Sequence, residues 1–182
     1  MASPDPVKQL DDLLSSSSFV FLLYYRGNWC PFCIAHIKEL VALAGEIKAA
    51  GGTPVIVTAE VPEHLEKARA WTGFTDAAIV DPENILAKEL KDRDLLDVAI
   101  SSRWGYQHGM AQPALLVVKG DGTVLQRWAI VPGLMNIGGA TDRPVLSEVW
   151  ENVQAQLRGE KAKVDNYSTT GALDLIRKKI VG

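Results

Sequence analysis

Apolar residues along this chain come either as short unbroken runs or as stripes at helical spacing, and the two patterns alternate. Residues 19–25 (FVFLLYY) are wholly apolar, as expected of a strand buried on both faces. From Ile34 the apolar positions recur through Ile37, Leu40, Val41, Ala44 and Ile47. That spacing predicts a helix over 31–50, ended by Gly51-Gly52 as a left-handed cap would end it. Residues 53–58 (TPVIVT) read as a second buried strand, 61–71 as a helix opening at Pro62, and 77–80 as a short strand. Asp81-Pro82-Glu83 predicts the next helix, with Asp81 as N-cap and Pro82 in the first helical position. After a loop to Met110, the runs 114–118 and 124–130 flank Gly120-Asp121-Gly122, a hairpin pattern. Residues 144–157 carry Val145, Val149, Trp150 and Val153 on one helical side.

At the chain start, 7–14 reads as a weak helix broken by four serines at 15–18. Residues 159–168 are polar and linker-like, and a last short helix carries Leu173, Leu175, Ile176 and Ile180 on an apolar stripe. The expected division is therefore a domain over 1–158 and an appendage, linker plus amphipathic helix, over 159–182. The order β-α-β-α-β-α-β-β-α predicts a mixed α/β sheet with helices on both faces.

Composition narrows the class. At 182 residues the chain builds one core without staples, and two cysteines make no secreted disulfide framework. A net charge of −3 without a Lys/Arg block argues against nucleic acid as partner. The start MASPDPVKQLDD lacks the basic region of a signal peptide, and the run at 19–25 is too short to span a membrane. A cytoplasmic protein with no membrane contact is the expectation.

The two cysteines sit in Cys30-Pro31-Phe32-Cys33, at the seam between the first strand and the helix that follows. Cys30 falls at the helix start with Pro31 at N1, so free amide N–H groups and the positive end of the helix dipole face its sulfur. A thiolate is stabilised there. The spacing makes Cys30 the more exposed and more acidic thiol, with Cys33 one turn along and within bridging distance. Zinc is the competing reading, through Cys30, Cys33 and His36, but a structural site takes four ligands and no second pair stands at usable spacing. No metal is expected. A structural disulfide here would close a loop too short to stabilise much.

Other candidates surround this pair. Trp29 and Phe32 flank Cys30, and the loop with Trp104 and Tyr106 leads into Gln112-Pro113, so these residues are candidates for a substrate groove. The alternative is that Trp104 and Tyr106 only pack a long loop. His36 and His108 are candidate proton carriers, although His36 reads as solvent-facing. Arg26 is placed to favour a thiolate. Trp71, Trp128 and Trp150 fall among core-facing positions.

The segments Arg26-Gly27-Asn28-Trp29-Cys30-Pro31-Phe32-Cys33, Asp81-Pro82-Glu83-Asn84-x-Leu86-Ala87 and Lys119-Gly120-Asp121-Gly122 resemble the peroxiredoxin-like branch of the AhpC/TSA family. The resemblance covers roughly residues 17–157. It implies a thioredoxin-like fold with the additional βα unit of peroxiredoxins, Cys30 as attacking and Cys33 as resolving cysteine, and a cis Gln112–Pro113 bond against the dithiol. The chain also departs from the pattern. Peroxiredoxins carry Thr or Ser three residues before the attacking cysteine and Pro four before that, where this chain has Gly27 and Leu23. They also hold an Arg near the strand that here begins at Gln112-Pro113, where none stands. Thioredoxins bury an Asp where this chain has Tyr24. Glutaredoxins share the C-P-F-C motif, but Ala111-Gln112 does not repeat their glutathione-gripping pair.

The resemblance and the dithiol together imply a thiol–disulfide oxidoreductase working through a mixed disulfide, with no bound cofactor. Its substrate would be a protein disulfide or a small hydroperoxide, and thioredoxin or glutathione its electron donor. A peroxide or endoperoxide reductase is the first alternative; a non-catalytic interaction module is the second. A homodimer is left open.

Overall fold

The computed structural model describes residues 4–170. The final helix expected over 173–180 lies outside the described residues.

Helix α1 (Pro6–Ser16) leads into strand β1 (Phe19–Tyr24), helix α2 (Pro31–Ala49) and strand β2 (Gly52–Thr58). A short 3-10 turn (Pro62–His64), α3 (Leu65–Thr72), β3 (Ala77–Val80) and α4 (Ile85–Asp92) follow. The two-residue strands β4 (Ile100–Ser101) and β5 (Met110–Ala111) pair with each other ahead of the hairpin β6 (Ala114–Lys119) and β7 (Val124–Ala129). A 3-10 turn (Leu134–Asn136), the short strand β8 (Arg143–Pro144), α5 (Leu146–Leu157) and β9 (Thr169–Thr170) complete the described chain.

Five strands form one sheet in the order β3-β2-β1-β6-β7. β1 lies at its centre, parallel to β2 and antiparallel to β6. Every residue of β1 is buried, and alternation divides them between two cores. Phe19, Phe21 and Leu23 join α2 and α5 on one face; Val20, Leu22 and Tyr24 join α1 and α4 on the other. This is the α/β thioredoxin-like architecture, with the dithiol at the carboxyl end of the central strand.

Several local expectations change. Asp81 does cap α4, accepting the N–H groups of Ile85 and Leu86 at 2.9 and 2.8 Å. Yet the helix begins only at Ile85, because Asn84 takes a left-handed conformation (φ 57°) and offsets the start. Pro62 opens a 3-10 turn rather than an α-helix. Trp71 is 54% exposed, at the solvent end of α3, whereas Trp150 is buried and stacks on Phe19. Gln112–Pro113 is trans, as is every peptide bond among the described residues. Gln112 N–H donates to Ala99 O, the Pro113 carbonyl accepts from Ile130, and the β1–β6 register ends at Ala114. Pro113 thus stands outside the β1–β6 register, where no ladder donor is missing.

Beyond α5 the stretch read as a linker lies against the body. Asn152 accepts Val164 N–H and donates to its carbonyl, at 2.8 and 2.9 Å. Tyr167 packs on the α5 side of the core, and β9 pairs with β8. Among the described residues no helix is long and apolar enough to cross a membrane.

Candidate active site

The apolar β1 ends at Tyr24, and the turn that follows delivers Cys30 to the N-cap of α2 with Pro31 at its first position. The Cys30 sulfur accepts the Cys33 N–H at 3.3 Å, filling one of the free donors of the first turn. The two sulfurs are 2.7 Å apart and share a hydrogen bond, both as free cysteines.

Two further donors reach Cys33. Arg26 N–H lies 3.4 Å from its sulfur, and Arg143 Nη2 lies 3.3 Å from it and 3.8 Å from Cys30. Arg143 is buried, and its Nε and Nη1 groups have no partner. Among the described residues no carboxylate pairs with it, and the groups beside it able to carry negative charge are the two cysteine sulfurs.

These contacts revise the expected division of acidity. Cys30 and Cys33 are both buried, at 1% and 0% exposure, so neither thiol is the accessible one. Burial alone would push Cys33 up, but the hydrogen bond it shares with Cys30 and the Arg143 guanidinium more than offset it and bring Cys33 down to about 5. Cys30 moves up, first through the hydrogen bond it shares with Cys33, then through burial and the neighbouring charge. The pair therefore loses one proton readily and holds the second tightly, as two charges so close must. Arg143 and the Arg26 N–H lie on the Cys33 side of the pair, which favours negative charge there.

The other candidates are divided by the fold. The Arg26 guanidinium donates to Gln112 Oε1 at 2.9 Å and to the Gly138 carbonyl, tying the loop after β7 to the site. Gln112 Nε2 in turn donates to Ser101 Oγ. Tyr106 OH donates to the Arg26 carbonyl at 2.7 Å and accepts from Trp29 Nε1 at 2.9 Å, while Arg103 stacks 3.6 Å above the Trp29 ring. Phe32 is half-buried against the core. Trp104 is 97% exposed and lines one cleft together with Trp29 and Tyr106. His36 is buried rather than solvent-facing, its Nε2 3.1 Å from the Pro144 carbonyl, because it follows Cys33 by one turn on the inner stripe of α2. His108 is exposed; its carbonyl, not its ring, is used, accepting from Asn84.

Two residues escaped sequence reasoning. Arg143 stands in an ordinary-looking Asp142-Arg143-Pro144 turn, and its one signal was an arginine set against the apolar run Pro144-Val145-Leu146. Glu60 follows β2 and is buried, its Oε2 accepting Asn28 N–H at 2.6 Å and its Oε1 3.1 Å from His64 Nδ1. A Cβ on Gly27 would come within 2.6 Å of both the Glu60 carboxyl and the Trp29 indole. That packing is why glycine occupies the place where peroxiredoxins hold Thr or Ser. Glu60, His64, Trp29, Arg103 and Tyr106 line a cleft of about 210 Å³ beside the dithiol turn.

Residues 6–127 match the AhpC/TSA family. Peroxiredoxin 6 of Arenicola marina, in a cysteine-to-serine mutant, superposes with a TM-score of 0.64 at 16% identity, over 87% of this chain and 71% of that one. Peroxidoxin BcpB from Mycobacterium tuberculosis gives 0.60 at 16% identity, over 87% and 92% of the two chains. The bacterioferritin comigratory protein of Xanthomonas campestris, solved in connection with its alkyl peroxide reduction activity, gives 0.57 at 17%, over 78% and 82%. No curated protein sequence matches the chain. At these identities the structures establish the fold, and the matched span of sequence establishes the kinship: the chain belongs to the AhpC/TSA family, as a peroxiredoxin-like oxidoreductase of thioredoxin fold.

Proposed function

We propose that the protein reduces small hydroperoxides with its Cys30–Cys33 dithiol, at the expense of an external thiol donor. The observation that carries this reading is Arg143: a buried guanidinium against both sulfurs, with two N–H groups still to be used. Burial of both thiols favours a small substrate over a folded protein disulfide.

As the peroxide enters, the proton shared across the sulfur pair passes to Cys33, which leaves the thiolate on Cys30. Cys30 sulfur attacks one peroxide oxygen; the S–O bond forms, the O–O bond breaks, and the leaving alkoxide takes a proton to become an alcohol. The Arg143 Nε and Nη1 groups donate to the oxygen on which charge develops, in a site shielded from water. The Cys33 thiol then attacks the Cys30 sulfenic acid, forming the disulfide and releasing water. An external dithiol such as thioredoxin, or two glutathiones, reduces that disulfide by exchange. A reducing compartment such as the cytoplasm suits a dithiol that must return to this state.

Thiol–disulfide exchange on proteins is the second reading. It is favoured by the exposed indoles of Trp29 and Trp104 close to the dithiol turn. A paired assay separates the two: organic hydroperoxide and insulin disulfide, each with thioredoxin and with glutathione. Hydroperoxide turnover lost in Cys30→Ser, and arrested at a Cys30 sulfenic acid or mixed disulfide in Cys33→Ser, is the expected result. Insulin reduction outpacing hydroperoxide reduction with the same donor would overturn it.

A further inference from the structure

We infer that Glu60 carries the proton of the dithiol cycle, protonated while the site holds a thiolate and ionised once the disulfide has formed. The inference rests on the Cys30–Cys33 cycle proposed above but not on the peroxide as oxidant.

The balance of the reaction asks for such a group. A reduced site with one thiol and one thiolate, on giving two electrons to a hydroperoxide, becomes a neutral disulfide and leaves one alkoxide and one water. The alkoxide needs one proton. When a donor dithiol restores the thiol–thiolate pair, one proton is left over. A carboxyl that gives its proton in the first half and regains it in the second closes this loop within the protein.

Glu60 is the buried carboxyl built into the dithiol turn. Its carboxylate lies against Gly27, as the close approach of a Gly27 Cβ shows, and it accepts the N–H of Asn28 at 2.6 Å. That same turn gives Arg26 N–H to the Cys33 sulfur, and its Gly27 carbonyl accepts Cys30 N–H at 3.2 Å. Burial pushes the Glu60 carboxyl up, against the opposing pull of the Asn28 N–H and of His64, and a charge at Cys33 adds a smaller push in the same direction as burial. Tyr25, buried at the end of β1, is raised by burial first, then by the Glu60 charge, and further by that of Cys33, so one phenol lies within the field of both. The remaining ionisable groups facing Glu60 are His64, Tyr106 and Arg103, which share its cleft. His64, with a side chain 44% exposed, gives the carboxyl a hydrogen-bonded path to water. Alternating one negative charge between sulfur and carboxylate avoids holding two anions in one buried neighbourhood. Glu60 touches neither sulfur nor substrate, so it is a positioning residue for the proton rather than a catalytic one.

The test is the pH dependence of the disulfide equilibrium with dithiothreitol. If Glu60 takes up the proton released on reduction, the wild-type equilibrium constant changes by clearly less than tenfold per pH unit over the part of the range, above the thiolate titration, in which Glu60 gains its proton. Glu60→Gln keeps an acceptor for Asn28 N–H but carries no proton, and its constant should change by about tenfold per unit throughout. Glu60→Asp should return part of the wild-type flattening. On the wild type alone, infrared difference spectra should show a protonated carboxyl in the reduced form that is lost on oxidation. Parallel pH lines for wild type and Glu60→Gln, or no carboxyl band in the reduced wild type, would overturn the inference. A dithiol that forms no Cys30–Cys33 disulfide would overturn it too, whereas a normal disulfide without peroxide turnover would overturn only the hydroperoxide reading.

Discussion

Arg143 Nη2 lies 3.3 Å from the Cys33 sulfur although 110 residues separate them in the chain. The contact joins two unfavourable burials, a guanidinium without a carboxylate and a dithiol without solvent, into one charge-balanced pair. Removing the cation should raise the pH at which the thiolate appears. In Arg143→Met the ultraviolet thiolate titration should move up by at least about one unit, and hydroperoxide reduction should fall on the order of a hundredfold. Arg143→Lys restores a point charge without the planar fork and should fall between the two. An unmoved thiolate titration in Arg143→Met would assign the acidity of the pair to the helix terminus alone.

The same pair makes stability depend on pH and redox state. Cys33 is held down to about 5 in the folded protein, against about 8.5 for an unfolded thiol. Between those values the unfolded chain keeps a proton that the folded one has released, so stability rises with pH. The slope is at most roughly 1.4 kcal/mol per unit for one proton. The contribution is lost as pH falls through the folded value. Above the unfolded value Cys30, shifted the other way, works against it. The measurement is denaturant unfolding of the reduced wild type against the Cys30→Ser/Cys33→Ser double variant. The gap between them should widen from about pH 5 to 8; a constant gap would mean that no thiolate is stabilised by folding.

Gly27 is glycine because Glu60 and Trp29 fill its Cβ position. Gly27→Ala should therefore cost about 1–3 kcal/mol by overpacking. Much of that cost should vanish in a Glu60→Ala background, where the carboxyl no longer occupies the space. A double-mutant cycle reads the coupling. Additive costs would mean that the Trp29 indole, not the carboxyl, excludes a side chain at position 27.

What could be read in advance was local. The run 19–25 declares a central strand because all its side chains are apolar, and Pro31 after Cys30 declares a helix start because proline suits that position. The sheet, the helix carrying the dithiol and the hairpin followed from such short-range signals. Arg143 and Glu60 did not, since their roles exist only after β8 and the end of β2 are brought to the α2 terminus. His36 shows a different failure. It stands one turn from Cys33, and its polarity suggested water, but the fold buries it with the Pro144 carbonyl against its Nε2. Pro113 failed by analogy, because the cis bond rested on the resemblance while an X–Pro bond is trans by default.

The residues after α5 bear on the dithiol through Arg143. β9 pairs with β8, whose first residue is Arg143, and Val145 N–H donates to the Ser168 carbonyl at 3.0 Å. Ser168 N–H reaches Glu148 Oε2 at 2.7 Å, and Tyr167 OH donates to Gln126. Ending the chain after Arg158 removes all of these; ending it after Thr170 keeps them. The shorter protein should lose stability, since it uncovers the surface under Tyr167 and leaves both hydrogen-bonding sides of Asn152 without Val164, a cost of about 1–3 kcal/mol for such a group. It should also titrate its thiolate at higher pH, because β9 no longer holds β8, and Arg143 with it, from its outer side. The chain ended after Thr170 should match the full-length protein in thiolate titration. If both truncations titrate alike and melt alike, β8 and α5 position Arg143 unaided, and the strand pair adds nothing to the site.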